Sequence, residues 1–140
     1  MRQGKIITQD KDIHNILENA KTIAIVGLSP KIDRDSYQVG LYLQAAGYRI
    51  IPVRPAQKQI LGENAFKSLD ELMTPVDIIN AFRKSAQIEV HAKAALRLKP
   101  NVFWMQQGIE NYQAAMMLNA AGIDVVMNRC IKVDHARLFI

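Results

Sequence analysis

The fold is decided by a short apolar run and the turn that follows it, Thr22-Ile23-Ala24-Ile25-Val26 and then Gly27-Leu28-Ser29-Pro30-Lys31-Ile32-Asp33-Arg34-Asp35-Ser36-Tyr37. A continuous apolar run of five residues is typical of a central strand that is covered on both faces. The turn leads into a helix that Asp35 or Ser36 can cap and that runs to Ala46, where Gly47 stops it. This strand–turn–helix unit predicts a parallel sheet.

Four more β-rich runs alternate with helical segments along the rest of the chain. The predicted strands cover residues 49–53, 76–82, 102–105 and 124–127. The predicted helices cover residues 10–19, a short helix that a capping box at 68–71 opens before Pro75, residues 85–98 with Ser85 as cap, and residues 111–121. Strands that alternate with helices form parallel sheets with right-handed crossovers. We therefore expect one doubly wound α/β domain over residues 1–140, with about five parallel strands, flanking helices and an N-terminal helical extension at 1–21.

Length and composition exclude several classes of protein. A chain of 140 residues that is 49% hydrophobic and 22% charged is typical of one globular domain and not of a disordered chain. The longest apolar stretch, residues 23–28, falls far short of the roughly 20 residues that cross a membrane. No secretory signal is visible after Met1, and the single Cys130 cannot form an internal disulfide. We expect a cytoplasmic protein without a membrane partner.

The basic residues concentrate where the predicted strands end. The net charge is +5, and eight of the 18 basic residues follow strands: Lys31, Arg34, Arg54, Lys58, Arg83, Lys84, Arg129 and Lys132. Ligands of open parallel sheets bind beyond the carboxyl ends of the strands, so this edge should attract an anion. Aromatic residues make up only 6% of the chain, which disfavours a nucleic-acid binder that stacks bases. A basic interaction module remains an alternative.

The first turn predicts a phosphate-binding site that differs from the glycine-rich turn of ordinary NAD sites. Pro30 and Lys31 stand where the glycines of a G-x-G-x-x-G turn would let a pyrophosphate approach, which disfavours ordinary NAD binding. An NAD site also has an acid after the second strand, whereas this chain has Arg54. An arginine there suits a ribose phosphate, either the 2′-phosphate of NADP or the 3′-phosphate of coenzyme A. The helix start and its neighbours are predicted to hold phosphates through Gly27, Ser29, Lys31, Arg34 and Ser36.

Several motifs together resemble the small stand-alone CoA-binding proteins, which are similar to the N-terminal CoA-binding domain of the succinyl-CoA synthetase α-subunit. The resemblance runs from about Thr22 to Leu138 and is carried by Gly27–Lys31 with Ser36-Tyr37, Gly47–Pro55, Val76-Asp77-Ile78, Phe82-Arg83, Trp104–Gly108 and Met127–Cys130. It departs from the family at Arg54, where asparagine is common, and at Asn128, where aspartate is common. The resemblance implies a Rossmann-like fold with coenzyme A across the carboxyl edge of the sheet.

The resemblance also implies which residues contact the ligand. The loop from Ser29 to Ser36, with Tyr37 beside it, would hold phosphates. The segment with Pro52, Val53, Arg54 and Lys58 would lie by the adenosine and its ribose phosphate. The rest of the groove would be lined by Phe82, Arg83, Met105, Gln106 and Gln107.

Two classes of function therefore compete. The first is a module that binds CoA or an acyl-CoA without chemistry of its own, as a regulator or carrier. The second is an NADP-dependent oxidoreductase, although His14, His91 and His135 lack neighbours that would make a catalytic pair, and no metal-ligand spacing is present. Cys130, between Arg129 and Lys132, is either a small buried hydrophobe or a thiol that forms a mixed disulfide with CoA.

Overall fold

The structure is a computed structural model that describes residues 2–139. Its helices are α1 (Asp10–Asn19), α2 (Asp35–Ala45), α3 (Ile88–Leu98), α4 (Tyr112–Ala120) and α5 (Ile131–Leu138). Its strands are β1 (Thr22–Val26), β2 (Arg49–Val53), β3 (Gln59–Ile60), β4 (Glu63–Asn64), β5 (Ile78–Ala81), β6 (Val102–Met105) and β7 (Asp124–Val126). Among residues 2–139, no helix has the length and apolar character needed to cross a membrane.

The main sheet has five parallel strands in the order β2-β1-β5-β6-β7. This arrangement confirms the predicted doubly wound, Rossmann-like α/β fold. The chain places β2 on one side of β1 and β5 on the other, so the strand order reverses there. A crevice therefore opens between the carboxyl ends of β1 and β5, which is the position where such sheets bind ligands.

Helices cover both faces of the sheet, and this explains why its strands are continuously apolar. On one face, α3 and α4 pack over Phe103 and Met105 of β6. On the other face, α1, α2 and α5 pack over Val102 and Trp104 of the same strand. All four residues of β6 are at most 1% exposed. Because successive side chains point to opposite faces, a strand buried on both sides shows no polar alternation.

Two predicted helix starts are wrong in detail. A 3-10 turn at Ser85–Gln87 precedes α3, and the Ser85 hydroxyl accepts a hydrogen bond from the Glu110 amide instead of capping the helix. The predicted capping box opens only the 3-10 turn Leu69–Glu71. There the Glu71 carboxylate accepts from the Lys67 amide, and the Ser68 side chain makes no capping bond. In both cases the predicted capping side chain accepts a hydrogen bond from a different backbone amide, that of Glu110 for Ser85 and that of Lys67 for Glu71.

The sequence analysis did not predict α5 or the β3–β4 hairpin. The segment before α1 adds a bridge between Ile6 and Val125 at the β7 edge of the sheet. Helix α1 then packs against α5, where the Arg137 guanidinium pairs with the Asp10 carboxylate at 2.8 and 2.9 Å. Residues 2–21 are thereby joined to the sheet and to α5.

Candidate functional site

Two clefts lie side by side beyond the carboxyl ends of the strands. The first, here called the basic cleft, has a volume of about 500 Å³ and is lined by residues between 27 and 36 together with Arg54, Gln57, Phe82 and Arg83. The second, the apolar cleft, has a volume of about 670 Å³ and is lined by parts of α2, residues 82–84, residues 106–109, and the start of α5. Asp35, Phe82 and Arg83 line both clefts. The two clefts therefore form one groove across the β1–β5 switch point.

Gly27 makes the close approach between β1 and β5 possible. Its backbone has a φ of +86°, and its amide donates to the Val53 carbonyl oxygen at 2.8 Å. A Cβ atom at this position would lie 2.6 Å from the Phe82 carbonyl oxygen and 3.4 Å from Arg83 Nε. Only glycine fits both the left-handed conformation and this contact. The turn thus brings the loop after β1 beside the loop after β5.

The two serines of the turn shape the floor of the basic cleft. The Ser36 hydroxyl accepts from the Ser29 amide at 2.9 Å, and the Ser29 hydroxyl accepts from the Lys31 amide at 3.1 Å. Both side chains are buried, with 6% and 7% exposure. A hydroxyl that accepts one hydrogen bond still carries its own proton, which it can donate. Both serines can therefore donate to an anion in the cleft while they hold the turn in place.

The amino terminus of α2 points its free amides at the same space. The helix begins at Asp35, and Arg34 precedes it without a side-chain cap, so the predicted cap at Asp35 or Ser36 is wrong. The first-turn N–H groups of a helix have no acceptor within the helix and favour anions. The Asp35 carboxylate at this terminus is the one acid that lines either cleft, against the six cations Lys31, Arg34, Arg54, Arg83, Lys84 and Lys132. The groove is strongly electropositive.

Arg54 reaches the basic cleft from the end of β2. Its Nη1 donates to the Gly27 carbonyl oxygen at 3.3 Å, which holds the guanidinium against the turn. Among residues 2–139, Arg54 has no carboxylate within 4.0 Å. A half-buried guanidinium without an acid partner, and with donors to spare, is suited to bind a phosphate.

The apolar cleft combines hydrophobic walls with a few polar groups. Val39, Phe82, Ile109 and Val133 supply the walls, and the half-buried Cys130 lies directly before α5. A buried amide pair lies at its edge, where Asn80 Nδ2 donates to Gln106 Oε1 at 3.2 Å. Burial and the nearby charge of Arg83 lower the pKa of His91, which favours the neutral form of its imidazole. Such a cleft suits a flexible, mostly apolar chain.

The sequence matches one known protein family over most of its length. Residues 21–136 match the family described as the CoA binding domain. The chain belongs to this family. Membership of the CoA binding domain family supports coenzyme A as a small-molecule ligand, in agreement with the prediction made from the motifs. It also confirms the resemblance on which that prediction was based.

Related proteins have nearly the same length and fold. The chain is 46% identical over 125 residues to the uncharacterized protein YneT of Bacillus subtilis, an alignment that covers 89% of this chain and 93% of YneT. The solved structure of cell-free ID.343 from Thermus thermophilus is similar at 39% identity, with a TM-score of 0.90 over 94% of this chain and 100% of that one. A hypothetical protein from Pyrococcus horikoshii OT3 is similar at 32% identity, with a TM-score of 0.91 and complete coverage of both chains.

The structure brings most of the predicted ligand residues of this CoA binding domain to the groove. The residues that line one or both clefts are Gly27, Ser29, Lys31, Arg34, Ser36, Arg54, Phe82, Arg83, Gln106 and Gln107. Five others line neither cleft. Val53 and Met105 are buried in the core under α3 and α4, Pro52 is buried in β2, Tyr37 packs on the opposite face, and Lys58 is exposed beyond the turn.

Arg129 differs from the other strand-end cations of the CoA binding domain. Its Nε and Nη2 donate to the two carboxylate oxygens of Asp134 at 2.8 and 3.1 Å, and this pairing raises the pKa of Arg129. It is therefore committed to the fold and lines neither cleft. Asp134 follows Arg129 by five residues and faces it because α5 begins between them, which the sequence analysis did not predict.

Several residues that border the groove were missed by the sequence analysis. They are Gln38, Val39, Gly108, Ile109 and Val133, whereas Pro30, Asp35 and Gln57 lie within the predicted segments at 29–36 and 52–58. Lys84 and Lys132, which the sequence analysis placed at the basic edge, and Cys130, which it considered as a thiol that reacts with CoA, also line the apolar cleft. No sequence signal marks Val39 or Val133, because an apolar residue on a helix is far more often part of the core. Within residues 2–139, no cluster of three or more His, Cys, Asp or Glu could hold a metal ion.

Proposed function

We propose that this protein binds coenzyme A along the whole groove, with the nucleotide in the basic cleft and the pantetheine arm in the apolar cleft, as a binding module without chemistry of its own. The observation that carries the proposal is that two clefts of opposite character join at Phe82 and Arg83. Coenzyme A has the same division, because an anionic phosphorylated nucleotide is attached to a long and mostly apolar arm. Such a module fits a regulatory or carrier role.

The basic cleft supplies the groups that the phosphates of CoA require. The diphosphate would meet the first-turn amides of α2, the two serine hydroxyls and the side chains of Lys31 and Arg34. The 3′-phosphate on the ribose would meet Arg54, whose guanidinium is held at the mouth of the β1 turn. Each of these donors is present at the groove before a ligand arrives, which reduces the ordering needed on binding.

The NADP alternative shares the fold and the use of Arg54 but not the second half of the groove. NADP carries a second nucleotide where CoA carries pantetheine, and the walls of the apolar cleft suit the arm better than a second ribose. Isothermal titration calorimetry with CoA, acetyl-CoA and NADPH separates the two. The proposal predicts saturable binding of CoA and at least tenfold weaker binding of NADPH, a difference of about 1.4 kcal/mol or more. Binding of NADPH alone would replace the proposal with a reductase.

The thiol end of bound CoA would lie near Cys130, and this predicts a mixed disulfide. With CoA disulfide as the oxidant, the Cys130 thiolate attacks one sulfur, forms the Cys130–CoA disulfide and releases the other CoA as its thiol. We expect intact-protein mass spectrometry to show one CoA adduct per chain, and none in Cys130→Ser. Oxidised glutathione, which lacks the nucleotide, should react more slowly.

A competition experiment tests whether the mixed disulfide forms with CoA that is bound in the groove. Excess adenosine 3′,5′-bisphosphate (3′,5′-ADP), the nucleotide part of CoA, should slow the formation of the CoA adduct and leave the glutathione reaction unchanged. Equal rates for both disulfides, with no effect of 3′,5′-ADP, would show that Cys130 reacts as an ordinary exposed thiol and that the arm ends elsewhere.

A further inference from the structure

Gln106 stands at the edge of the apolar cleft in an orientation that the fold determines. It follows Met105, the last residue of β6, and is only 5% exposed. Its Oε1 accepts two hydrogen bonds, from Asn80 Nδ2 at 3.2 Å and from the Ile131 amide at 3.3 Å. These two donors come from β5 and from the start of α5. The oxygen therefore bonds to donors within the protein, and these two hydrogen bonds hold the side-chain amide in one orientation.

The nitrogen of the same amide is left for a ligand. Among residues 2–139, Gln106 Nε2 has no hydrogen-bond acceptor, although buried polar groups are nearly always paired. Within residues 2–139, Asn80 Oδ1 is the one side-chain polar atom that is both fully buried and without a hydrogen-bond partner. Because Gln106 Nε2 also lacks a partner, it must retain some solvent-accessible surface. Gln106 lines the apolar cleft, and Nε2 is its one polar atom without a partner among the described residues.

We propose that Gln106 Nε2 donates a hydrogen bond to an amide carbonyl of the pantetheine arm, and that Gln106 thereby selects ligands that carry the arm. The inference rests on the proposed function. The arm is mostly apolar, with two amides, one hydroxyl and a terminal thiol, and an amide carbonyl that leaves water for an apolar cleft needs a donor. Of the other donor side chains there, Arg83, Lys84 and Lys132 are charged and suit anions better. Gln38 Nε2 already donates to the Ile32 carbonyl oxygen at 2.6 Å, and Gln107 is exposed to water. Asn80 is a positioning residue, because it holds Gln106 Oε1.

The substitution Gln106→Glu tests this assignment with little change to the fold. It keeps an oxygen for Asn80 and Ile131 and replaces only the donor that faces the cleft with an acceptor. By calorimetry, CoA and acetyl-CoA should both bind roughly tenfold to a hundredfold more weakly. Binding of 3′,5′-ADP, which lacks the arm, should weaken much less than the binding of CoA, since Gln106 lies outside the basic cleft.

A second variant controls for the added negative charge. Gln87 is exposed at the same edge of the sheet, in the 3-10 turn before α3, and lines neither cleft. Gln87→Glu should leave the affinities for CoA and 3′,5′-ADP within about twofold of the wild type. A comparable loss of CoA binding in both variants would assign the effect to charge and overturn the proposal.

The other outcomes are equally decisive. Unchanged CoA binding in Gln106→Glu, or an equal loss for all three ligands, would overturn the role of Gln106. A loss confined to acetyl-CoA would assign the hydrogen bond to the thioester carbonyl instead of the arm. If the wild type binds neither CoA nor 3′,5′-ADP, the proposed function fails, and the assignment with it.

One measurement on the unaltered protein keeps the proposal testable even if the variant does not fold. In a ¹⁵N nuclear magnetic resonance spectrum, the side-chain Nε2 protons of Gln106 should shift on addition of CoA and stay in place with 3′,5′-ADP. No shift with CoA at saturation would contradict the proposed hydrogen bond.

Discussion

Replacing Arg54 by alanine is expected to weaken the binding of CoA by about 1–3 kcal/mol, or roughly fivefold to a hundredfold, because a charge-assisted hydrogen bond to the 3′-phosphate is lost. The guanidinium is positioned at the mouth of the turn by its bond to the Gly27 carbonyl and has no carboxylate that competes for it among the described residues. Calorimetric titration of both proteins with CoA measures the difference directly.

Dephospho-CoA and a matched arginine show whether the loss is specific. Dephospho-CoA lacks the 3′-phosphate, so its affinity should fall much less in Arg54→Ala than the affinity for CoA. Arg49 begins the same strand at the opposite edge of the sheet and is exposed. Arg49→Ala makes the same change in net charge and should alter CoA affinity by less than about twofold. Equal losses for CoA and dephospho-CoA in Arg54→Ala would show that Arg54 does not bind the 3′-phosphate.

Gly27→Ala should lower the free energy of unfolding by about 2–4 kcal/mol, which is the largest stability effect expected of any substitution at the groove. Alanine at a φ of +86° is strained, and its Cβ would meet the Phe82 carbonyl oxygen at 2.6 Å. The backbone of β1 or β5 must move to relieve the contact, and the two cleft-forming loops move with it. Thermal unfolding should show a melting temperature lower by roughly 6–12 °C.

Gly62 provides a control that separates the strain of a left-handed backbone conformation from the steric clash of the added Cβ atom. It has a similar φ of +76°, but a Cβ there would have nothing within 4 Å. Gly62→Ala should therefore lower the stability by only about 1 kcal/mol, from the left-handed conformation alone. CoA binding should fall in Gly27→Ala and stay unchanged in Gly62→Ala. Equal stability losses in the two variants would mean that the Phe82 contact relaxes without consequence.

Much of the fold could be predicted because its strands carry their own signal. Residues 23–26 are apolar at four consecutive positions, which is typical of a strand buried on both faces. The bounds of β1, β2 and β6 agree with the prediction. Helix α5 gave a weaker signal, because its short sequence contains Asp134, His135 and Arg137. Asp134 and Arg137 are held by ion pairs with Arg129, with α1 and with each other, and His135 shares a hydrogen bond with the Tyr42 hydroxyl at 2.8 Å. No local pattern reveals these contacts.

The candidate site could be predicted in outline for a topological reason. Carboxyl ends of parallel strands share one edge, so Lys31, Arg54 and Arg83 had to meet once the sheet was parallel. Arg129 follows the same rule but pairs with Asp134, which depends on where α5 begins. The orientation of the Gln106 amide depends on contacts with β5 and α5, which are distant in the sequence. Such contacts arise only in the packed structure.

The proposed position of the ligand is tested most directly by a ¹⁵N nuclear magnetic resonance titration with CoA, which maps the backbone amides whose signals shift. We expect the largest shifts in the turn at residues 29–36 and at residues 54, 83, 106–109 and 130–133, all at the carboxyl edge of the sheet. With 3′,5′-ADP alone, the shifts should be confined to the basic cleft. Shifts centred instead on the opposite edge, around the cleft lined by Asn15, Asp77 and Asn101, would contradict the proposed position of the ligand.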